Sequence, residues 1–149
     1  MSFEYADTSF VLSLYRPEVN SIKAVAHLAN RANSARPLEV SALLAFEFEQ
    51  GLQHRLFRKT IKEIQANKAF IQWEADLASG TVLITPTDWP QVFQEARRIA
   101  KLRTMMEGYR SMDILHVAAA LVMEAAVFLT FDERQSGLAK AEGLKVKPG

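Results

Sequence analysis

Residues 111–132 read Ser111-Met-Asp113-Ile-Leu-His116-Val-Ala-Ala-Ala-Leu-Val-Met-Glu-Ala-Ala-Val-Phe-Leu-Thr130-Phe-Asp132. The middle of this stretch is apolar on nearly every side, which predicts a helix that is capped by Ser111 and buried in a core. The apolar run is too short, and too interrupted by His116 and Glu124, to span a bilayer. Residues 127–130 then predict a short buried strand. An acid stands at each end of this unit, although carboxylates are seldom buried without a partner.

Length and composition are those of an ordinary globular domain. The chain has 149 residues, 49% of them hydrophobic and 23% charged, which predicts one domain over residues 1–149. The lack of cysteine excludes disulfides and thiolate zinc sites and fits a cytoplasmic protein. Residues 1–7 contain no basic segment followed by an apolar one, so we expect no signal peptide and no role at a membrane. Because the net charge is only +1, any nucleic-acid binding must depend on local patches.

Strand and helix patterns alternate along the whole chain. Short apolar runs predict strands at residues 3–6, 38–40, 81–85, 127–130 and 144–146. Helical spacing predicts helices at residues 10–15, 18–32, 41–55, 56–77, about 90–107, 111–126 and 133–141. This alternation predicts an α/β fold with a parallel sheet and helices on both faces. Ligands of such sheets bind beyond the carboxyl ends of the strands.

The helix after the second strand carries two acids that lie two residues apart. Leu44, Phe48 and Leu52 define its apolar face. Glu47 falls at the edge of that face, whereas Glu49 points the other way. We therefore expect Glu47 to be the half-buried acid of the two.

Two basic stripes also follow helical spacing. They consist of Arg55, Arg58, Lys59 and Lys62, and of Arg97, Arg98 and Lys101. Such stripes suit a phosphate backbone. Solvated helix faces look the same, so both interpretations stay open.

Four acids are predicted to meet at one edge of the sheet. Asp7 follows the first strand and Asp132 follows the fourth, so both lie at carboxyl ends. Glu47 sits roughly two turns into its helix, and Asp113 begins the helix that leads into the fourth strand. If the first and fourth strands are neighbours at the sheet centre, the four acids can meet in one cleft, where they would repel each other unless a cation were present. Hard divalent ions take oxygen ligands, so the pattern predicts metal-assisted phosphodiester cleavage.

Each acid also has a purely structural interpretation. Asp132 and Gln135 match a capping box, and Asp7 could cap the helix behind it. Asp113 is favoured in a first helical turn by the helix dipole, and Glu47 could be a solvated residue at the helix edge. The functional interpretation therefore depends on the joint placement of the four acids.

Polar side chains near the proposed cleft have the same two interpretations. His116 lies one turn after Asp113, and a lone histidine on an apolar helix is more often a core residue than a ligand. Thr8, Ser9 and Thr130 flank the cleft and could orient water or carboxylates, or simply satisfy turn backbone.

Four segments, in this order and spacing, resemble the PIN domain family. They are Tyr5-Ala6-Asp7-Thr8-Ser9, Ser41-Ala-Leu-Leu-Ala-Phe-Glu47 with Gly51, Asp113-Ile-Leu-His116-Val-Ala-Ala-Ala, and Leu129-Thr130-Phe131-Asp132. The chain is similar in particular to VapC-type toxins of bacterial toxin–antitoxin pairs. The resemblance covers the whole chain and implies a single-domain, three-layer α/β/α sandwich with a central parallel sheet.

The resemblance also implies an activity and partners. It implies a Mg²⁺-dependent endoribonuclease, with Mn²⁺ as a possible substitute, in which four acids are both catalytic and metal-binding. These acids are Asp7, Glu47, Asp113 and Asp132. It further implies a homodimer, an RNA substrate and a small antitoxin whose tail occupies the active-site groove. Many relatives carry a further acid two residues after the last aspartate, where this chain has Arg134 beside Glu133, which puts a second metal site in doubt.

Two other functions compete with the nuclease. A phosphatase with Asp7 as nucleophile would need a second acid two residues later, but Ser9 stands there. The stronger alternative is a catalytically inert PIN-like module that binds a peptide or protein partner. The sequence does not indicate which RNA would be cut.

Overall fold

A computed structural model describes residues 3–148. Met1 and Ser2, on which part of the expectation of no signal peptide rests, and Gly149 lie outside the described residues. The chain forms two compact units: the first contains the described residues up to Asp7 and from Pro86 onward, and the second is Thr8–Thr85. Among residues 3–148, every helix is too short or too polar to span a lipid bilayer.

The alternation of strands and helices predicted from the sequence is confirmed. In chain order the elements are β1 (Glu4–Ala6), α1 (Thr8–Tyr15), α2 (Ser21–Ala29), β2 (Leu38–Val40), α3 (Ala42–Phe57), α4 (Glu63–Ser79), β3 (Val82–Ile84), α5 (Trp89–Ile99), a π-helical turn (Ala100–Thr104), α6 (Met105–Glu107), α7 (Ser111–Val122), β4 (Val127–Leu129), α8 (Glu133–Ala141) and β5 (Lys145–Lys147). The first unit holds β1 and everything from α5 onward, and the second holds the elements from α1 to β3.

The first unit is built on a three-stranded parallel sheet in the order β1-β4-β5. Tyr5 pairs with Phe128 and Ala6 pairs with Leu129, so β1 and β4 run side by side in register. The pairing of the first and fourth strands was only a condition of the predicted cleft, and the structure meets it. Because all three strands are parallel, the residues that follow β1 and β4 emerge at the same edge of the sheet.

An apolar core packs against this sheet. The rings of Tyr5 and Phe128 stack with centroids 5.5 Å apart, and they pack with buried residues of α5, α7 and α8. The helix α7 is buried along much of its length, which confirms the predicted core helix. It ends at Val122 rather than at residue 126, because Glu124 adopts a left-handed backbone with a φ of 58° that turns the chain into β4.

The second unit packs helices around a buried tryptophan and a two-stranded parallel pair, β2 and β3. The ring of Trp73 on α4 lies 4.5 Å from that of Phe48 on α3 and 5.6 Å from that of Tyr15 on α1, measured between centroids. Leu44, Phe48 and Leu52 are all fully buried, which confirms the predicted apolar face of α3. Such aromatic clusters combine a large buried area with favourable edge-to-face contacts.

The long helix predicted over residues 56–77 is wrong. The chain forms two helices instead, because α3 ends at Phe57 and α4 begins at Glu63. Between them Lys59 adopts a left-handed backbone with a φ of 57°, and Ile61 turns inward and is 8% exposed. The first basic stripe required a continuous helix, so it does not exist as a stripe.

The start of α7 also differs from the prediction. Ser111 is the first helical residue rather than the cap, and Arg110 occupies the N-cap position. The backbone N–H of Arg110 donates to the Asp113 carboxylate over 3.3 Å. The acid in the first turn therefore satisfies the backbone N–H of the cap residue, which is one half of a capping box.

The predicted helix that ends before Gly108 is confirmed, with a π-helical turn in its second half. Asp88 caps its start by accepting from the Gln91 backbone N–H over 3.1 Å.

Glu142, after α8, binds Arg98 and Arg103 over 2.5 and 2.7 Å. Arg98 of the second basic stripe is therefore already engaged in an ion pair.

We expect Glu142→Gln to destabilise the protein by about 1–2 kcal/mol at pH 7, because it removes the charge shared by Arg98 and Arg103. The effect is modest because solvent screens the half-exposed Arg98. Burial alone would raise the pKa of Glu142, but the hydrogen bonds and charges of the two arginines outweigh it and hold the pKa below its ordinary value of 4.5. The stability difference should therefore be complete above pH 4.5 and shrink as the pH falls through the lowered native pKa.

Urea unfolding of both proteins across this pH range measures the effect. Glu74→Gln, on the exposed side of α4, is the matched control and should show no such pH-dependent difference. A stability gap between wild type and Glu142→Gln that does not change between pH 7 and pH 3 would contradict the assignment.

Candidate active site

Asp7 is the acid that the fold holds most tightly. It follows β1 directly and is fully buried. Its backbone N–H donates to the Leu129 carbonyl over 3.0 Å, which extends the ladder between β1 and β4 by one residue. The Asp7 carboxylate is therefore placed at the carboxyl edge of the sheet by strand pairing itself.

Thr130 connects Asp7 to the next acid. Its hydroxyl donates to the Asp7 carboxylate, and its oxygen accepts from the backbone N–H of Asp132 over 2.9 Å. The Asp132 carboxylate in turn accepts from the backbone N–H of Gln135 over 3.0 Å, which makes Asp132 the N-cap of α8. A capping box has two hydrogen bonds, and the one in which Asp132 is the acceptor is thus confirmed.

The second hydrogen bond of the predicted capping box does not form. The Gln135 side chain donates from Nε2 to Asp113 Oδ1 over 3.2 Å instead. Asp113 is 6% exposed, and its other oxygen accepts from Arg110. One chain of hydrogen bonds therefore links Asp7, Asp132 and Asp113 through the side chain of Thr130 and through the backbone N–H and side-chain NH₂ of Gln135.

Glu47 belongs to the second unit and is half-buried, as predicted. It accepts a hydrogen bond from the hydroxyl of Thr8, the residue that follows Asp7 in the chain. Glu49 differs from the prediction, because it is half-buried as well and accepts from the Trp73 indole N–H over 2.9 Å. The grouping of Glu47 with the other three acids stays a prediction.

His116 lies in the core. It is fully buried, and its Nδ1 is 2.7 Å from the Tyr5 hydroxyl, with which it shares a hydrogen bond. Its ring also lies edge-on to that of Tyr5, with centroids 5.8 Å apart. These contacts match the structural interpretation of this histidine.

The family of the chain follows from its sequence as a whole. The sequence model of the PIN domain matches residues 5–141. The chain belongs to the PIN domain family. No curated protein sequence matches the chain.

Solved structures share the fold at low sequence identity. VapC20 of Mycobacterium tuberculosis, described as a Sarcin-Ricin loop cleaving toxin, is 19% identical with a TM-score of 0.66, and the match covers 95% of each chain. FitAcB of Neisseria gonorrhoeae is 19% identical with a TM-score of 0.66, covering 97% of this chain and 96% of that one. VapBC-1 of nontypeable Haemophilus influenzae is 15% identical with a TM-score of 0.64, at the same coverage. The predicted PIN fold, with a central parallel sheet flanked by helices, is confirmed.

The donor atoms at the sheet edge of this PIN domain suit a hard divalent cation. They are carboxylate oxygens on buried or half-buried residues, together with the amide oxygen of Gln135, which is buried and has no hydrogen-bond donor among the described residues. Within residues 3–148, however, no group of three or more His, Asp or Glu side chains is arranged so that it could hold a metal ion. Hydrogen bonds therefore set the present spacing of the acids. The chemical type of the donor atoms suits a divalent ion, whereas their present spacing does not.

A cavity opens beside Asp132. It has a volume of about 530 Å³, and its lining includes Thr130, Asp132, Ser136 and Lys140. A second cavity of about 500 Å³ lies within the second unit, and none of the four predicted acids lines it. Of the four predicted acids, Asp132 alone lines the first cavity, whose other charged lining residues are Glu133 and Lys140.

Sequence reasoning missed the part that Gln135 takes in this site. The local pattern identified Gln135 only as a partner of Asp132, three residues away. Its side chain instead binds Asp113, which is 22 residues away in the chain. No local signal predicts that contact, because it depends on how α7 and α8 pack.

We expect Thr130→Val to destabilise the protein by about 1–3 kcal/mol, because the buried Asp7 carboxylate loses a donor and the Asp132 N–H loses its acceptor. Thr130→Ser should restore most of that loss, since it keeps the hydroxyl. The matched control is Thr104→Val, whose hydroxyl oxygen is buried without a partner among the described residues and should cost little. Urea unfolding measures all three variants; equal stability of the Thr130→Val and Thr104→Val variants would contradict the bridging role of Thr130.

Proposed function

We propose that this PIN domain is a metal-dependent endoribonuclease that cleaves RNA phosphodiester bonds, and that it is the toxin of a type II toxin–antitoxin pair. The observation that carries the proposal is the hydrogen-bonded chain that holds Asp7, Asp132 and Asp113 at the carboxyl edge of the parallel sheet. In such sheets this edge is the usual place for ligands. Membership of the PIN domain family and the fold shared with VapC20 support the same activity.

In this proposal Asp7, Asp113 and Asp132 hold a Mg²⁺ ion, which Mn²⁺ can replace. Glu47 is included as the fourth ligand and catalytic acid on the sequence pattern. The chemistry that such an ion supplies is a lower pKa of bound water and stabilisation of charge on the scissile phosphate. The protein contributes the orientation of the acids: Thr130 keeps the Asp7 carboxylate in place, and α7 and α8 carry Asp113 and Asp132 at their starts.

The cavity beside Asp132 is the proposed place for the RNA backbone. Lys140 lines this cavity and is exposed, so its ammonium group can attract a phosphate. Arg97 and Lys101, on the second basic stripe, are also exposed, but contact between that stripe and RNA stays a prediction. Glu133 and Arg134 are both exposed at the start of α8, and neither adds to the buried acids, so one metal ion is the simpler proposal.

The partner is proposed from the structural neighbours and the resemblance. VapBC-1 and FitAB are named for both members of a pair, and FitAB was solved bound to a DNA fragment. By analogy we propose a small antitoxin that binds this chain, and a homodimer as the assembly. Size-exclusion chromatography with light scattering, on the chain alone and with a co-expressed candidate, measures both. A cytoplasmic location stays a prediction.

The second candidate function is a catalytically inert PIN-like module that binds a peptide or protein. Membership of the PIN domain family and the fold shared with VapC20 do not favour it over the nuclease. Tight binding of a partner by a protein that cleaves no structured RNA in Mg²⁺ or Mn²⁺ would support this module against the nuclease.

We expect Asp7→Asn and Asp132→Asn each to lower Mn²⁺-dependent RNA cleavage by about 100-fold or more, because loss of a metal ligand removes several kcal/mol of charge stabilisation. Products carrying 5′-phosphate ends, mapped on structured RNAs, would fit water attack organised by the metal. The matched control is Asp88→Asn at the start of α5, where asparagine caps as well as aspartate.

The control should cleave at the wild-type rate. Wild-type activity in Asp7→Asn, or cleavage that survives removal of divalent ions by EDTA, would end the proposal for these residues.

A further inference from the structure

The side chain of Gln135 contains a buried oxygen that takes part in no hydrogen bond among the described residues. The residue is 7% exposed, and its Oε1 has no hydrogen-bond donor among the described residues. A buried acceptor without a donor costs about 1–3 kcal/mol. Such an atom therefore indicates either that the fold is less stable than it could be or that the oxygen binds a partner outside the described residues.

The orientation of this amide is decided by its neighbour. Asp113 is a carboxylate and can only accept hydrogen bonds when ionised, so the group that faces it over 3.2 Å must be the Gln135 NH₂. Turning the amide over would place two oxygens against each other. The carbonyl oxygen is thus left as an acceptor that no rotation of the amide can satisfy through Asp113.

Gln135 also binds a second proposed metal ligand. Its backbone N–H donates to Asp132 Oδ1 over 3.0 Å, while its side chain holds Asp113. One residue therefore sets the spacing of two acids that lie on different helices. Packing alone does not require a glutamine here, because a methionine of similar length would fill the space without an unsatisfied oxygen.

We propose that Gln135 is a positioning residue of the metal site: its NH₂ orients Asp113, and its Oε1 accepts a hydrogen bond from a water molecule that arrives in the hydration shell of the divalent cation. This inference rests on the metal site of the proposed function. Mg²⁺ keeps several of its waters when proteins bind it, and a water polarised by a cation is a strong donor. Partners outside the ligand shell commonly change metal affinity by about 10- to 100-fold.

The test measures metal binding in the absence of RNA, using the full chain. Isothermal titration calorimetry gives the Kd for Mn²⁺, and thermal unfolding with and without Mn²⁺ gives the metal-dependent rise in Tm. The variants are Gln135→Met, which keeps the length but neither hydrogen-bonding group, and Gln135→Glu, which keeps the shape but replaces the donor by a charge. Gln94→Met, at an exposed position of α5, is the matched control.

We expect Gln135→Met to raise the Kd for Mn²⁺ by about 10-fold or more, and Gln94→Met to leave it unchanged. In thermal unfolding, Gln135→Met should show a smaller metal-dependent rise in Tm than wild type, and Gln135→Glu a larger one. Its carboxylate repels Asp113, so Tm falls without metal, and Mn²⁺ then raises Tm by more than it does in wild type. A residue that only packs would not produce opposite changes in these two variants.

A measurement on the wild-type protein covers the case in which a variant fails to fold. The side-chain amide signals of Gln135 in a ¹⁵N–¹H spectrum should shift during a Mg²⁺ titration with the same apparent Kd as the overall binding. An unchanged amide signal at saturating Mg²⁺, or equal Mn²⁺ affinity in wild type and Gln135→Met, would overturn the inference and leave the nuclease standing. Metal binding without RNA cleavage would overturn the nuclease alone, and no metal binding by the wild type would overturn both.

Discussion

The buried carboxylate of Asp7 is the constraint on which the rest of the first unit depends. A carboxyl group with no exposed surface needs hydrogen-bond partners nearby, since burial without them is very costly. The parallel pairing of β1 with β4 supplies one, because Ala6 pairs with Leu129 and the next residues along each strand are Asp7 and Thr130. A shift of one residue in this register would turn the threonine to the other face of the sheet. The register of β1 against β4 therefore fixes the position of Thr130 relative to Asp7.

The start of α8 shows how one local motif is adapted to a long-range task. In a capping box the glutamine side chain would return to the backbone N–H of the cap residue. Here Thr130 already accepts from that N–H, so the amide of Gln135 is available to Asp113 on α7. The cap itself is kept, because Asp132 still accepts from the Gln135 backbone. Helix capping and the spacing of the acids are thus achieved with the same few groups.

The second unit follows a different logic, in which a polar group serves an aromatic core. Trp73 packs against Phe48 and Tyr15, and its indole N–H must be satisfied once the ring is buried. Glu49 provides the acceptor, which explains why this acid is not solvated although it points away from the leucine face of α3. Burial by a partner helix overrides the preference that the helical periodicity of α3 alone would indicate.

The order of strands and helices, the core character of α7 and the cap at Asp132 were predictable from the sequence alone, because each depends on periodicity or on residues a few positions apart. The family was accessible for the same reason, since its motifs are short and ordered along the chain. The pairing of β1 with β4 was only a condition in the sequence analysis, and the tertiary structure decided it. Tertiary structure alone decided the break at Lys59, the burial of Glu49 and the contact between Gln135 and Asp113. The last two join residues 24 and 22 positions apart in the chain, and only the packing of the helices that carry them brings these residues together.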